Sequence, residues 1–357
     1  MTVERVIATP DPALRARVLR TVPLHYAAGA DVALDRPAHV RAGSGAVWVG
    51  SRLVVVQDDA NFLALVDPTD GTAVALPLPA AADGRRQFDD TRGNKADKLD
   101  VEAVVAVPLH GDDPIVLAFG SGSTSRRESV VTLRGIGAAG TADGTVVVVL
   151  PLPQFYAALR AALPFAGSEL NVEAVVYLGP ASGGHLRLFN RGNGAGRDGL
   201  TPVDATCDVS WPALATYLAT PSAAEPPEPC DIVQYDLGDI GGLPLTFTDA
   251  TLILGEAESD RRRLVYTAAA EASPDATRDG PVAGCAIGVI AEGPDGIQAR
   301  WALLEGEAGG PFGGKVEGIA LDPGDPTCAW VVVDRDAPGQ PTDLCEVLLD
   351  GPWFMAR

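Results

Sequence analysis

Along this 357-residue chain, four carboxylates recur in comparable local settings. The segments Asp100-Val-Glu-Ala-Val-Val, Asn171-Val-Glu-Ala-Val-Val and Lys315-Val-Glu-Gly-Ile-Ala place Glu102, Glu173 and Glu317 inside apolar, β-branched runs, and Thr248-Asp-Ala-Thr-Leu-Ile-Leu does the same with Asp249. Carboxylates brought together cannot all stay ionised without compensation, so they call for a bound cation, for Lys or Arg partners, or for raised pKa values. Oxygen donors, with only 4 His and none in HxxxH or HExxH spacing, point a cation reading to Ca²⁺ or Mg²⁺. Under that reading Glu102, Glu173, Asp249 and Glu317, assisted by Asp58 and Asp334, hold the metal, and Glu102, Glu173 and Glu317 activate water. The competing reading makes each acid an acceptor for backbone N–H groups of the neighbouring element, with a purely structural role.

A second set of polar residues closes the apolar run that follows each of these segments. It comprises Asp58, Asp59 and Asn61; Ser121, Ser123, Arg126 and Arg127; Asn190, Arg191 and Asn193; Glu271; and Asp334, Arg335 and Asp336. Mixed Arg, Asp, Ser and Asn around one mouth suits a small polar or phosphorylated ligand. Lys98, Ser121, Ser123, Arg127, Arg191, Asn193 and Arg335 are the expected contacts, the guanidinium groups acting as forked clamps. The only lysines, Lys95, Lys98 and Lys315, all lie just before a Val-Glu-Ala or Val-Glu-Gly segment.

These positions need a scaffold that repeats. Aligned on Gly45, Glu102, Glu173, Asp249 and Glu317, the copies are 57, 71, 76 and 68 residues apart. That is too irregular for a solenoid but compatible with propeller blades carrying inserted loops. Each copy offers further Val, Leu, Ile and Thr-rich runs between Gly, Pro and Asp clusters. The expected fold is an all-β propeller in one domain, 1–357, of five blades, with six as the rival count. First strands are expected near 44–49, 100–106, 171–177, 248–254 and 315–321. The third blade takes its outer strands from Asp231–Leu237 and Leu243–Phe247, and the N-terminal run Arg15–Leu24 completes the last blade and removes its exposed edge. Helical patterns are confined to Pro153–Leu163 and Trp211–Leu218.

Composition excludes several classes. With 47 Asp+Glu against 27 Lys+Arg and a net charge of −20, the chain lacks the basic face that nucleic-acid binding requires. No apolar run reaches the roughly 18 residues of a membrane span, and Met1 to Arg20 lacks the apolar centre of a standard secretion signal. A cytoplasmic monomer is expected. Five cysteines without CxxC spacing read as reduced thiols, a Cys328–Cys345 bridge across a hairpin being left open. Gly120-Ser-Gly-Ser-Thr-Ser-Arg-Arg-Glu lacks the P-loop pattern, and Gly135-Ile-Gly-Ala-Ala-Gly leads to a strand where a dinucleotide site needs a helix.

The segments Gln57-Asp-Asp-Ala-Asn, Lys95-Ala-Asp-Lys-Leu-Asp-Val-Glu-Ala, Phe119-Gly-Ser-Gly-Ser-Thr-Ser-Arg-Arg-Glu, Asn171-Val-Glu-Ala and Asn190-Arg-Gly-Asn-Gly resemble a group of uncharacterised bacterial β-propeller proteins over roughly residues 40 to 350. More distantly, the acidic step in the inner strands is similar to esterase-like phytases and SdiA-regulated-type propellers. That resemblance implies Ca²⁺ and phosphate-ester chemistry at a channel mouth. Two function classes follow: a propeller that binds, and hydrolyses, a small polar or phosphorylated ligand, or a non-catalytic interaction scaffold with structural inner-strand acids.

Overall fold

The structure is a computed structural model that describes residues 3–109, 112–137, 142, 144–180, 183–253, 255, 262–275, 278 and 280–354. Leu254, at the end of one expected strand, and Ala138–Gly140 of the glycine motif lie outside the described residues. The chain is all-β, with the short helices Pro153–Ala161, Leu163–Ala166 and Trp211–Ala219 as its α-helical segments among the described residues. No described helix is long and apolar enough to cross a membrane.

The strands form consecutive antiparallel meanders. The first runs through Gly43–Val49, Arg52–Gln57, Phe62–Val66 and Thr72–Pro77; the second through Val101–Leu109, Asp112–Gly120, Ser129–Arg134 and Val146–Pro151. The third comprises Val172–Leu178, His185–Asn190, Asp204–Ser210 and Cys230–Asp236, and the fourth Leu243–Leu252, Arg262–Glu271, Val282–Gly293 and Gly296–Glu305. The fifth takes Lys315–Leu321, Cys328–Asp334 and Asp343–Asp350 from the C-terminal end and Arg15–Pro23 from the N-terminal end, paired antiparallel from Asp343↔Pro23 to Asp350↔Arg15. The first strand of each meander packs beside the first strand of the next, and that of the fifth beside that of the first.

Burial follows from this arrangement. Each of five apolar clusters lies between two adjacent meanders, as with Val54, Leu63 and Leu65 against Val104, Val116 and Val131, or Val265 and Ile287 against Val316, Ile319 and Val331. The inner strands are therefore covered on both faces, which explains why they read as continuous apolar runs with no alternation.

Two strand assignments need correction. Leu243–Phe247 belongs to the first strand of the fourth meander, which runs unbroken to Leu252, and the third meander has Asp204–Ser210 in its place. The segment Asp-Ala-Thr-Cys-Asp-Val-Ser carries few large apolar side chains, so its pattern hides a strand whose ladder is buried. The thiols Cys328 and Cys345 are free. They lie on paired strands but out of register, facing Leu348 and Val331.

Candidate functional site

The inner strands carry their polar residues at bulges. In each, one extra residue interrupts the register with the second strand: Glu102 between Val101 and Ala103, Glu173 between Val172 and Ala174, Thr248 between Phe247 and Asp249, Glu317 between Val316 and Gly318, and Ser44-Gly45 between Gly43 and Ala46. A bulge re-aims its extra side chain and sharpens the local twist. Here Ser44, Glu102, Glu173 and Glu317 line one cavity.

This register moves the expected ring by one residue in the fourth meander, where Thr248, not Asp249, stands at the position of the glutamates. Asp249 is outside the cavity lining. Its carboxylate accepts the N–H groups of Ala250 and Ile319, both at 2.8 Å, which ties the fourth meander to the fifth. The structure thus places Asp249, expected among the metal ligands, on backbone donors outside the cavity lining. Burial pushes its pKa well above the usual carboxylate range, although the amides of Ile319, Ala250 and Ala46 pull it back. Gly45 has a steric reason of its own: a Cβ there would lie 2.6 Å from the carbonyl oxygen of Glu102.

Two residues before each bulge lies a second tier. Asp100, Asn171 and Lys315 line the cavity, and Thr246 accepts a 3.1 Å hydrogen bond from Arg191 Nε. Side chains at i and i+2 of a strand share a face, so the pattern polar, Val, Glu was the signal that could have found Asp100 and Asn171. Facing them, from the ends of the second strands, come Asp58, Arg191 and Asp334. The N–H groups of Asp58, Ser121 and Arg191 donate to the carbonyls of Ala42, Asp100 and Asn171, which makes these ends equivalent.

Two charge networks result. In the first, Lys98 Nζ lies 2.8 Å from Asp58, 3.0 Å from Asp59 and 2.6 Å from Asp100, while Arg127 Nη1 meets Asp100 at 2.8 Å. Ser121 donates to Asp100, and Ser123 accepts from Arg127 at 2.9 Å. Thus the Gly-Ser-Gly-Ser loop braces Asp100 and Arg127, and Ser121 and Ser123 lie behind the cavity lining. Burial lowers the pKa of Lys98, but Asp100, Asp58 and Asp59 outweigh it and hold the ammonium well above its usual range. Burial likewise raises Asp100, yet Lys98 and Arg127 keep it below the usual value.

In the second network Arg191 reaches Glu271 at 2.6 Å, Glu173 at 3.4 Å and Glu317 at 3.9 Å. Lys315 meets Glu317 at 2.8 Å, and Asn171 donates to Glu173 at 2.6 Å and to Asn193 at 3.3 Å. Burial pushes Glu173 up to about 8 despite Arg191, and raises Glu317 despite Lys315 and Arg191. Asp334 is pushed well up by burial and by Asp58 and Asp336. Arg335, expected as a ligand contact, is half exposed, pairs with Asp343 and is absent from the cavity lining.

Glu102 lies between the networks. Burial, then Asp100, Asp58 and Glu173, push its pKa well above the carboxylate range. None of the hydrogen bonds and ion pairs among the described residues engages its carboxyl, although that carboxyl can lie with those of Asp58 and Asp100 so that all three oxygens are within 4.8 Å of one another. The cavity itself holds about 40 Å³, room for roughly three waters. It adjoins a second pit of about 190 Å³ that shares Asp58 and Asp334 and is further lined by Asp59, Asp89, Asp90, Asp336, Arg41 and Lys95.

No curated protein matches the chain. Among solved structures, a PQQ-bound aldose sugar dehydrogenase from Streptomyces coelicolor is similar over 96% of this chain and 100% of its own, at 12% identity and a TM-score of 0.46. A GH93 α-L-arabinofuranosidase of Fusarium graminearum, in complex with arabinobiose, is similar over 93% and 98%, at 11% identity and a TM-score of 0.41. The expected likeness to esterase-like phytases finds no support in these comparisons. The model of DUF6929, a family of unknown function, matches residues 39–349, and the chain belongs to that family.

Proposed function

We propose that the chain, 1–357, is a single five-bladed propeller whose last blade is completed by its N-terminal strand, and that it binds a small polar ligand at one mouth of its channel. One observation carries the binding reading: Glu102 presents a carboxyl without a protein partner to the cavity, beside those of Asp58 and Asp100. Burial and the neighbouring carboxylates raise the pKa of Glu102, while Lys98 and Arg127 lower that of Asp100; two adjoining carboxyl groups whose pKa values are pushed apart are the arrangement that serves general acid and base roles in hydrolysis. Glu173, shifted to about 8, supplies a second proton-exchanging group near neutral pH.

Charge and size favour one ligand class over the phosphorylated one expected from sequence. Lys98, Arg127, Arg191 and Lys315 are already paired with carboxylates, and the adjoining pit sets six aspartates against Arg41 and Lys95. A cavity of about 40 Å³ admits a single functional group, with the rest of the molecule left in the pit. A ligand bearing an amine or hydroxyl donor fits better than a phosphate.

A second reading, Ca²⁺ at Asp58, Asp100 and Glu102, rests on their convergence within 4.8 Å. In the structure the Lys98 ammonium supplies the compensating positive charge there. Thermal-shift screening of amines, polyols, phosphomonoesters, lactones and aryl esters, with Ca²⁺ and with EDTA, separates these readings. The proposal expects a donor-bearing binder whose shift is lost in Glu102→Gln, with turnover, where seen, lost in Glu102→Gln/Glu173→Gln. Stabilisation by Ca²⁺ alone, abolished in Glu102→Gln, establishes the metal reading in its place. Activity indifferent to both residues removes the hydrolase.

A further inference from the structure

The N-terminal segment runs along the outer edges of several meanders. Glu4–Ile7 pairs in parallel with Cys230–Asp236 of the third, Thr9–Pro10 with Arg300 and Trp301 of the fourth, and His25–Tyr26 with Thr72 and Ala73 of the first, while Arg15–Pro23 is itself the outer strand of the fifth. The second meander is not reached. Among the described residues no strand pairs with the outer side of Val146–Pro151.

That edge lacks the usual protections. An unpaired edge offers a row of free N–H and C=O groups, and folded proteins blunt it with charges, bulges or a covering segment. Here Gly144 to Leu152 contains no charged residue, the pairing with Ser129–Arg134 runs without a register shift, and Val146 and Val148 are 59% and 43% exposed. Pro151 closes only the far end.

We propose that this edge is the interface of a homodimer, two copies joining Val146–Leu150 antiparallel about a two-fold axis at Val148. The stretch Val-Val-Val-Val-Leu is self-complementary in that register: Val146 faces Leu150, Val147 faces Val149 and Val148 faces itself, as an isologous contact requires. Two copies of charge −20 repel over most of their surfaces, and an uncharged edge is where they can meet. The interface replaces the monomer expected from sequence and is independent of the channel site, since the outermost strand of a meander forms it.

Sedimentation velocity of the full chain across the micromolar range tests the proposal. A dimer is expected, and Val148→Lys, which sets two like charges opposite each other, should weaken it by at least ~10-fold with unchanged far-ultraviolet circular dichroism. In a Cys230→Ser background, Val148→Cys places two thiols on directly opposed residues with Cα atoms about 4.5–5.5 Å apart, within disulfide reach; mild oxidation should trap a covalent dimer. A purified wild type that stays monomeric, as it would if the edge served a foreign strand, overturns the proposal. So does a dimer that Val148→Lys leaves equally tight, or failure of the cysteine variant to cross-link.

Discussion

Replacing Lys98 by Met removes the positive charge on which the first network rests while keeping most of the side chain's volume. The ammonium is within 3.0 Å of three carboxylates, Asp58, Asp59 and Asp100. Removing one partner of a buried ion pair costs about 3–5 kcal/mol. Water reaches the side chains of Asp58 and Asp59, 20% and 19% exposed, and Asp100 keeps Arg127 at 2.8 Å, so the lower end, about 3 kcal/mol, is expected at pH 8. That corresponds to a thermal midpoint lower by about 4 °C. The sign with pH follows from the carboxylates left behind. Without Lys98 the buried Asp59 and Asp100 lose the charge that lowers their pKa values, so the native variant binds protons more tightly than its unfolded chain. Stability is then regained as pH falls through the raised values, whereas the wild-type Lys98 ammonium, with its raised pKa, stays charged at both pH 5 and pH 8. Urea unfolding of wild type and Lys98→Met at the two pH values measures this directly. A deficit below about 1 kcal/mol at pH 8, or one of equal size at pH 5, refutes the account of Lys98 as the network's cation.

Three further expectations concern Glu173 with Asp204, Asp249 and Arg335. Because burial raises Glu173 to about 8 and Asp204 to about 7, their stabilising contribution is full below the ordinary carboxylate range and is lost as pH rises through those values; chemical denaturation should show stability falling from pH 5 to pH 8, less steeply in Glu173→Gln. Asp249→Ala should destabilise by about 2 kcal/mol by leaving the buried N–H groups of Ala250 and Ile319 without acceptors, seen as a lower urea midpoint, while any ligand shift at the mouth persists. Arg335→Ala should leave ligand shifts unchanged in the thermal-shift screen, since its guanidinium pairs with Asp343 and lies outside the cavity lining.

Much of the site could be read from sequence, because the chemistry recurs in a fixed local frame. Glu102, Glu173 and Glu317 each follow a valine in a β-branched run, and the structure brings them to one cavity with Asp58, Lys98, Arg127, Arg191, Asn193 and Asp334. Asp249 misled because its acid lies one residue past the bulge position, which Thr248 fills in the fourth inner strand, and an alignment on acidic residues takes the neighbour for the equivalent. Ser121 and Ser123, expected as contacts from their place at a strand end, lie on a loop turned at Gly122, φ +72°, with their hydroxyls against Asp100 and Arg127. Arg335, expected from its position at a strand end, pairs with Asp343 outside the cavity lining. Asp204–Ser210 escaped notice since a strand buried by its neighbours does not need large apolar side chains of its own.

The central claim is that Glu102 is a neutral carboxylic acid at the channel mouth. Carbon-13 NMR of carboxyl-labelled glutamate, with Glu102 assigned by its loss in Glu102→Gln, reads its protonation directly. A resonance at the protonated position at pH 7, titrating well above the ordinary glutamate range, is the predicted result; a Glu102 that is already ionised at pH 7 and titrates with the surface glutamates contradicts it.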